Sequence, residues 1–449
     1  MYDITIIGAG VSGIFAAHTL MEHSSGRVLL LDKGKPLEER SCPQERGLSC
    51  DCRDCSAYCG FGGLGRSEGK YNFTGDFGGE LEEMFGPEAL AELMNEVDRV
   101  LCLYGASAAE PYRTHSDKLA DRASASGLKL LTSTVRHLGT KLSSQMLEGF
   151  QTALQSGIDM RFETTVSSIE QLKRGEGYRL HFPGGDTVDT KNLLLATGRS
   201  GSGWLPGILR PLGLEPRVTR LDLGLRLEMP GGQLDSILQE TFETKLRYTE
   251  TEFSATTYCM NPNGGIVRKR QEGLVMADGQ NFRERDSGSR NLNFSLFIPR
   301  HFATLELANQ YAAKIIGAVN RGGERIAVQR LADLLAGRRT TAAALAANSV
   351  QPSLEADPAQ LTEELPVLYI QATLKFLEAL ERLLGCSING DTLLYALDGK
   401  FYAPKMETDT DFQTALPGLY AIGDCSGRTH SLSQAAASGI HAARRLLRE

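Results

Sequence analysis

Apolar positions along the chain fall into short runs broken by glycine turns, and into longer stretches with helical spacing. Ile4, Ile6 and Ile7 form a run that is apolar on both parities, which predicts a strand buried on both faces. GAGVSG follows at once with Gly8, Gly10 and Gly13, and VSGIFAAHTLMEH then reads as a helix with small residues in its first turns. RVLLLD, from Arg27 to Asp32, is a second strand that ends in an acid. The four segments together make one βαβ unit.

Further on, LSSQMLEGFQTALQSG places Leu142, Met146, Leu147, Phe150 and Leu154 on one helix face. Strand patterns follow in IDMRFETTVSSIEQLK, GYRLHF and NLLLATG. Between about 206 and 390 the pattern changes to irregular strands (DLGLRLEM, SATTYCM, NLNFSLFIP) and alanine- and leucine-rich helices. The C-terminus returns to strand, turn and helix in GLYAIGDCSGRTHSLSQAAASGIHAARRLL. The expected organisation is a nucleotide-binding domain in three segments, 1–105, 140–205 and 391–449. A connecting or cap segment covers 106–139, and an inserted α+β substrate domain covers 206–390.

Composition narrows the class. A chain of 449 residues with 41% hydrophobic and 23% charged content reads as an ordinary globular protein of two domains or one elaborated domain. A formal charge of −7 argues against a general nucleic-acid or anionic-membrane partner. There is no apolar run long enough to span a bilayer, and MYDITIIGAG lacks the basic start of a signal peptide. A cytoplasmic location is expected, with a small-molecule partner and an open oligomeric state.

Gly8, Gly10 and Gly13 have a mechanical reading. The first permits the tight turn, the second lets backbone approach a pyrophosphate, and the third lets the helix pack on the strand. The helix start then offers N–H groups and a positive dipole end to phosphate. Asp32 stands about twenty residues beyond Gly13, at the end of the second strand, where it can accept from a ribose hydroxyl. Two later segments bear on which dinucleotide binds. LYAIGDCSG carries Gly423-Asp424 at a strand end, and LLLATGRSG carries Ala196, Thr197 and Gly198 at another. The three segments in this order resemble the two-dinucleotide-binding flavoproteins. That resemblance implies FAD, with the Asp424 carboxylate on a ribityl hydroxyl, in a Rossmann-like, glutathione-reductase-type α/β domain.

A closer likeness rests on CRDCSAYCGFGGLGRSEGKYN, RHLGTKL, ATGRSGSGWL, LDLGLRLEMP, TYCMNPNGGIV, RERDSGSRNLNFSLFI and PGLYAIGDCSGRTHSLSQAAASGI. The set resembles the bacterial FAD-dependent dehydrogenases, a family of oxidoreductases with largely unassigned substrates. Cys52 and Cys55 match a C-x-x-C ahead of a glycine-rich stretch, and Gly60, Gly62, Gly63 and Gly65 match its glycines. Ser67-Glu68-Gly69-Lys70 departs from the family by carrying Glu where Asp is expected. The likeness implies cofactor contacts from Lys33, Arg40, Gly62, Gly63, Ser67, Val166 and Ser431, besides Gly8, Gly10, Gly13, Asp32, Ala196, Thr197, Gly198, Gly423 and Asp424.

Nine cysteines include Cys50, Cys52, Cys55 and Cys59 within ten positions. Four thiolates can hold zinc or an iron–sulfur cluster. Cys52 and Cys55 can form a redox or structural disulfide, or all four can be inert thiols; the spacing leaves these open. Hydride transfer at flavin N5 needs orientation and, for alcohols or amines, a base. His430, six residues past Asp424, is the first candidate for that base, although a solvated His at a helix start is the plain alternative. His137 in RHLGT is read as structural. Tyr258 and Arg226 lie on strands of the inserted domain, and Arg226 can hold a carboxylate or make a surface ion pair. The function expected is hydride exchange between a small organic substrate and FAD. An NAD(P)H-dependent reductase and a cysteine-based electron carrier or redox sensor are the alternatives; a single GxGxxG argues against the first of these.

Overall fold

The structure is a computed structural model and describes residues 1–42, 56, 58–280 and 289–448. The chain divides into two compact units. One comprises 1–112, 133–219 and 402–449, and the other comprises 113–132 and 220–401.

The first unit is α/β. Its elements are β1 (Tyr2–Ile7), α1 (Val11–His23), β2 (Val28–Leu31), β3 (Lys70–Phe73), α2 (Pro87–Leu103), β4 (Thr134–His137) and α3 (Gly139–Gly157). They are followed by β5 (Asp159–Arg161), β6 (Ser168–Gln171), β7 (Tyr178–His181), β8 (Thr187–Leu195), β9 (Leu419–Ala421) and α4 (Leu432–Leu446). The main sheet runs β5-β2-β1-β8-β7-β6, with β9 also paired to β8. Strands β5, β2, β1, β8 and β9 are mutually parallel, whereas β7 pairs antiparallel with β8 and with β6. Ile6, Leu29, Leu194 and Tyr420 are fully buried, so the parallel strands have core on both faces, as their unbroken apolar runs require.

Helices α1 and α4 pack closely. Gly439 of α4 faces the Ser12 carbonyl, and a β-carbon there would come within 2.2 Å of it. The helix start that follows the glycine turn is thus held from the C-terminal end of the chain. Strand β3 pairs antiparallel with β4, Lys70 opposite His137.

The second unit is built on an eight-stranded sheet. Its central strands are Leu393–Phe401, Thr219–Pro230, Asn291–Phe302, Ser254–Pro262 and Lys245–Thr249, and Leu128–Leu131 forms one edge. Leu221, Leu223, Leu225 and Leu227 point to one face, where they join Leu292, Leu296 and Phe376 in a single core. A hairpin of Gly265–Gln271 and Leu274–Gln280 belongs to the same unit.

These limits differ from the expected 206 and 390. Strand Leu393–Phe401 pairs along Thr219–Pro230, which draws the end of the unit to Phe401. Strand Leu128–Leu131 pairs with Lys245–Thr249, which draws part of the expected connecting segment into the same unit. Residues 206–219 stay with the first unit. Pairing between strands far apart in sequence decides all three. Among the described residues, no helix is long and apolar enough to cross a membrane.

Candidate functional site

The glycine turn after β1 has three different glycines. Gly8 adopts φ +113°, and a β-carbon on it would lie 2.4 Å from the Ala196 carbonyl oxygen at the end of β8. Gly13 presses α1 onto the turn, since its β-carbon would lie 1.9 Å from the Gly8 carbonyl oxygen. Gly10 is the exception. Its backbone is in an ordinary extended conformation, and a β-carbon there would meet nothing within 4 Å. Gly10 therefore opens onto free space at the start of α1, with the helix dipole behind it. Side-chain caps are absent there, so the first N–H groups of α1 are left for another acceptor.

Asp32 organises the neighbouring loops. Its Oδ2 accepts from Ala9 N at 2.7 Å, and its Oδ1 accepts from Gly34 N at 2.7 Å and Gly60 N at 3.1 Å. The expected ribose acceptor is thus also the tie between the glycine turn and the loop before β3. That loop comes close: Gly62 N donates to Ala9 O at 2.8 Å, and a β-carbon on Gly63 would sit 3.1 Å from the Gly10 α-carbon. Gly62 and Gly63 both have positive φ, which their lack of a β-carbon permits.

Arg40 departs from expectation. It is buried, and its guanidinium donates to the carbonyls of Ser56, Phe61 and Gly63. A cation spent on three carbonyls braces the loop instead of reaching for phosphate. Ser67 also turns inward on its own loop, donating to Leu64 O at 2.7 Å, and Lys33 is exposed. Val166 is buried, with its carbonyl taken by the Trp204 indole N–H at 2.8 Å.

The C-terminal part brings in a residue that sequence reading missed. Asp424 accepts from Thr429 Oγ1 at 3.0 Å, and Arg199 Nε lies 3.3 Å from its other oxygen. Arg199 stands beside Gly198 in ATGRSG, so the only signal was its adjacency to a motif. Gly198 and Gly423 both have positive φ at the ends of β8 and β9. Ser431 caps α4 by accepting from Gln434 N, a structural use of a residue expected to touch cofactor. Buried Ser433, in the first turn of the same helix, has no hydrogen-bond partner for its hydroxyl, nor has buried Tyr71 on β3. A β-carbon on Gly65 would lie 3.8 Å from that Tyr71 hydroxyl. His430 is partly buried, donates its backbone N–H to Gly78 O at 2.8 Å, and sets its ring edge-on to Tyr402 at 4.5 Å.

His137 lies against Glu68, the acid that departs from the family pattern, with Nε2 3.4 Å from the carboxylate. Cys425 is inert by geometry. Its buried thiol donates to Leu195 O and Ile422 O, and burial pushes it up to about 11.

In the second unit Arg226 is fully buried. Its guanidinium donates to Asn293, Ser295 and the Cys259 carbonyl. The expected carboxylate anchor is instead an internal brace of the sheet, because its donors are already spent. Tyr258 is only partly buried.

Cys50, Cys52 and Cys55 lie outside the described residues, and so does any geometry of the thiol cluster. Cys59 is buried. Among the described residues, no cluster of three or more His, Cys, Asp or Glu is placed to hold a metal ion.

No family model matches the chain, and no curated protein matches its sequence. Solved structures do. The halogenase PltM in complex with phloroglucinol and FAD is 13% identical with a TM-score of 0.40, covering 100% of this chain and 69% of that one. CtdE in complex with FAD and substrate is 11% identical with a TM-score of 0.36, covering 98% and 79%. Aklavinone-11 hydroxylase with FAD and aklavinone is 14% identical with a TM-score of 0.37, covering 99% and 62%.

Proposed function

We propose that this chain is an FAD-dependent oxidoreductase of the glutathione-reductase-type fold, exchanging a hydride with a small organic substrate. The observation that carries the reading is Gly10: a glycine with room for a side chain, at an uncapped helix start, between two glycines that have no such room. A structural turn has no use for that space, whereas a pyrophosphate does.

The residues present fit the cofactor. The N-terminal N–H groups of α1 and the Gly10 backbone would hold the pyrophosphate. Asp32 keeps acceptor capacity on Oδ2 for a ribose hydroxyl, since a carboxylate oxygen can take more than one donor. Asp424, oriented by Arg199 and Thr429, would accept from the ribityl chain. The unpartnered hydroxyls of Tyr71 and Ser433 are further groups suited to a polar ligand. Bound FAD supplies the two-electron chemistry.

Among this chain's residues, His430 is the proposed acid–base group. Its backbone bond to Gly78 and the Tyr402 edge fix the imidazole, which would take or return the substrate proton as hydride moves. A role for NAD(P)H as reductant and for the Cys50–Cys59 segment in redox or metal chemistry remain proposals on the sequence alone.

The test is a substitution at Gly10. Gly10→Val is expected to fold with an unchanged Tm and to lose FAD, identified by its absorption spectrum and by chromatography of the released cofactor. Wild-type protein that neither carries nor takes up FAD would overturn the reading.

A further inference from the structure

Several arginines of this chain meet carboxylates in one way. On Arg136, Arg179 and Arg220 the edge formed by Nε and Nη2 is filled by both oxygens of Asp98, Asp189 and Asp222, at 2.6–2.8 Å. Arg428 differs. Glu80 Oε2 accepts from its Nη1 at 3.3 Å, while Nη2 makes no hydrogen bond and the buried Nε has no partner. The edge that carboxylates prefer is empty.

A second cation stands on the same acid. Lys405 Nζ meets Glu80 Oε1, so one carboxylate faces two positive groups, and the cluster carries a net charge of +1. Among the described residues Glu80 is the one ion-pair partner of either cation; Asp76 and Glu407, on the same segments, pair with neither. Asp424 nearby is met by Arg199. All three side chains of the cluster are half-buried, where a residual charge is screened less than on an open surface. A purely structural brace would have placed Glu80 on the two-donor edge of Arg428.

Backbone pairing sets this cluster beside His430. Gly79 bridges Thr429, Glu80 N donates to Arg428 O and His430 N donates to Gly78 O, both at 2.8 Å. Thr429 turns inward to Asp424, so Arg428 and His430 stand on the other side of the extended segment, about 7 Å apart along the chain. Gly427, at φ +72°, lets the Lys405 backbone press against the turn, since a β-carbon there would lie 2.5 Å from the Lys405 α-carbon. Tyr402, three residues before Lys405, meets the His430 ring. The whole arrangement belongs to the first unit.

We infer that the substrate is a small monocarboxylate, taken by Arg428 through Nε and Nη2 with Lys405 beside it, its neighbouring carbon on the His430 side. One negative charge balances the cluster. As the substrate class of a flavoenzyme the inference rests on the preceding reading; as an anion site it stands on Arg428, Lys405 and Glu80.

Propionate, with neutral propionamide as control, tests it by ligand-observed NMR titration of the full-length protein. Propionate should bind, propionamide about ten-fold more weakly or less, and raised salt should weaken propionate alone. Lys405→Met and Arg428→Met should each lower propionate affinity several-fold, and Arg428→Lys should recover part of the loss. Glu80→Gln should tighten propionate binding, because it removes the competing acid; a brace without an anion site gives no such gain. Tm values report whether each variant folds, and Lys405→Met with Glu80→Gln suffice if Arg428→Met does not. No propionate binding, equal binding of propionamide, indifference to both cations, or weaker binding in Glu80→Gln would overturn the site. The titration reads binding without flavin, so absence of FAD with propionate binding intact would sink the cofactor reading and leave the anion site standing.

Discussion

Arg199 Nε lies 3.3 Å from Asp424 Oδ2, joining the end of β8 to the turn after β9 across more than two hundred residues of sequence. The arginine is one-third exposed and the acid 13% exposed, so the pair is half sheltered, and Thr429 takes the other carboxylate oxygen. An acid held this way is oriented without being used up.

Asp424→Ala should therefore weaken FAD retention by about 10–100-fold, the size of a lost hydrogen bond to a charged group. Arg199→Met should produce a smaller loss, since it removes the orienting partner and leaves the acceptor. Equilibrium dialysis against free FAD measures both. Unchanged retention in Asp424→Ala would count against the ribityl assignment.

The two packed glycines should behave unlike Gly10. Gly13→Ala sets a methyl against the Gly8 carbonyl, and Gly439→Ala sets one against the Ser12 carbonyl; each neighbour is backbone and cannot swing aside. Overpacking of this kind costs about 1–3 kcal/mol. Urea unfolding should show both variants destabilised, with Gly10→Ala close to wild type.

His18 gives a pH dependence. It is 2% exposed on α1, packed against Tyr104 and Phe150. Burial holds its pKa below the usual 6.5, against the opposing pull of Glu22 at 3.5 Å and Glu96, and with help from Arg99 and His23. Below about pH 6.5 the unfolded chain takes up a proton that folded His18 refuses. Stability from this residue is whole above that pH and falls as pH drops toward the folded value, by at most about 1.4 kcal/mol per unit. Urea midpoints between pH 8 and 5 should show the decline, and His18→Gln should flatten it.

Cys425 should resist alkylation in the folded protein. Its thiol is buried, pushed up to about 11, and donates to two carbonyls, whereas Cys259 and Cys386 are exposed. Iodoacetamide at pH 8 followed by peptide mapping should label the latter two well before Cys425. Early labelling of Cys425 would mean that β9 and the turn after it open readily.

Local pattern alone determined the βαβ start, the three glycines and the strand-end segments at 196–198 and 423–424, because each is written in consecutive residues whose spacing reflects backbone geometry. The tight turn at Gly8 and the helix contact at Gly13 were also legible, since each asks for glycine in its own place. Tertiary structure decided the rest. Arg40 and Arg226 look like anion ligands in sequence, yet burial among carbonyls and amides turns both into braces. Arg199 carried no mark in the sequence beyond its neighbour glycine, because its partner Asp424 is brought to it only by the parallel pairing of β8 with β9. A side chain's type is local information, but whether its charge is free or spent depends on partners that folding alone delivers.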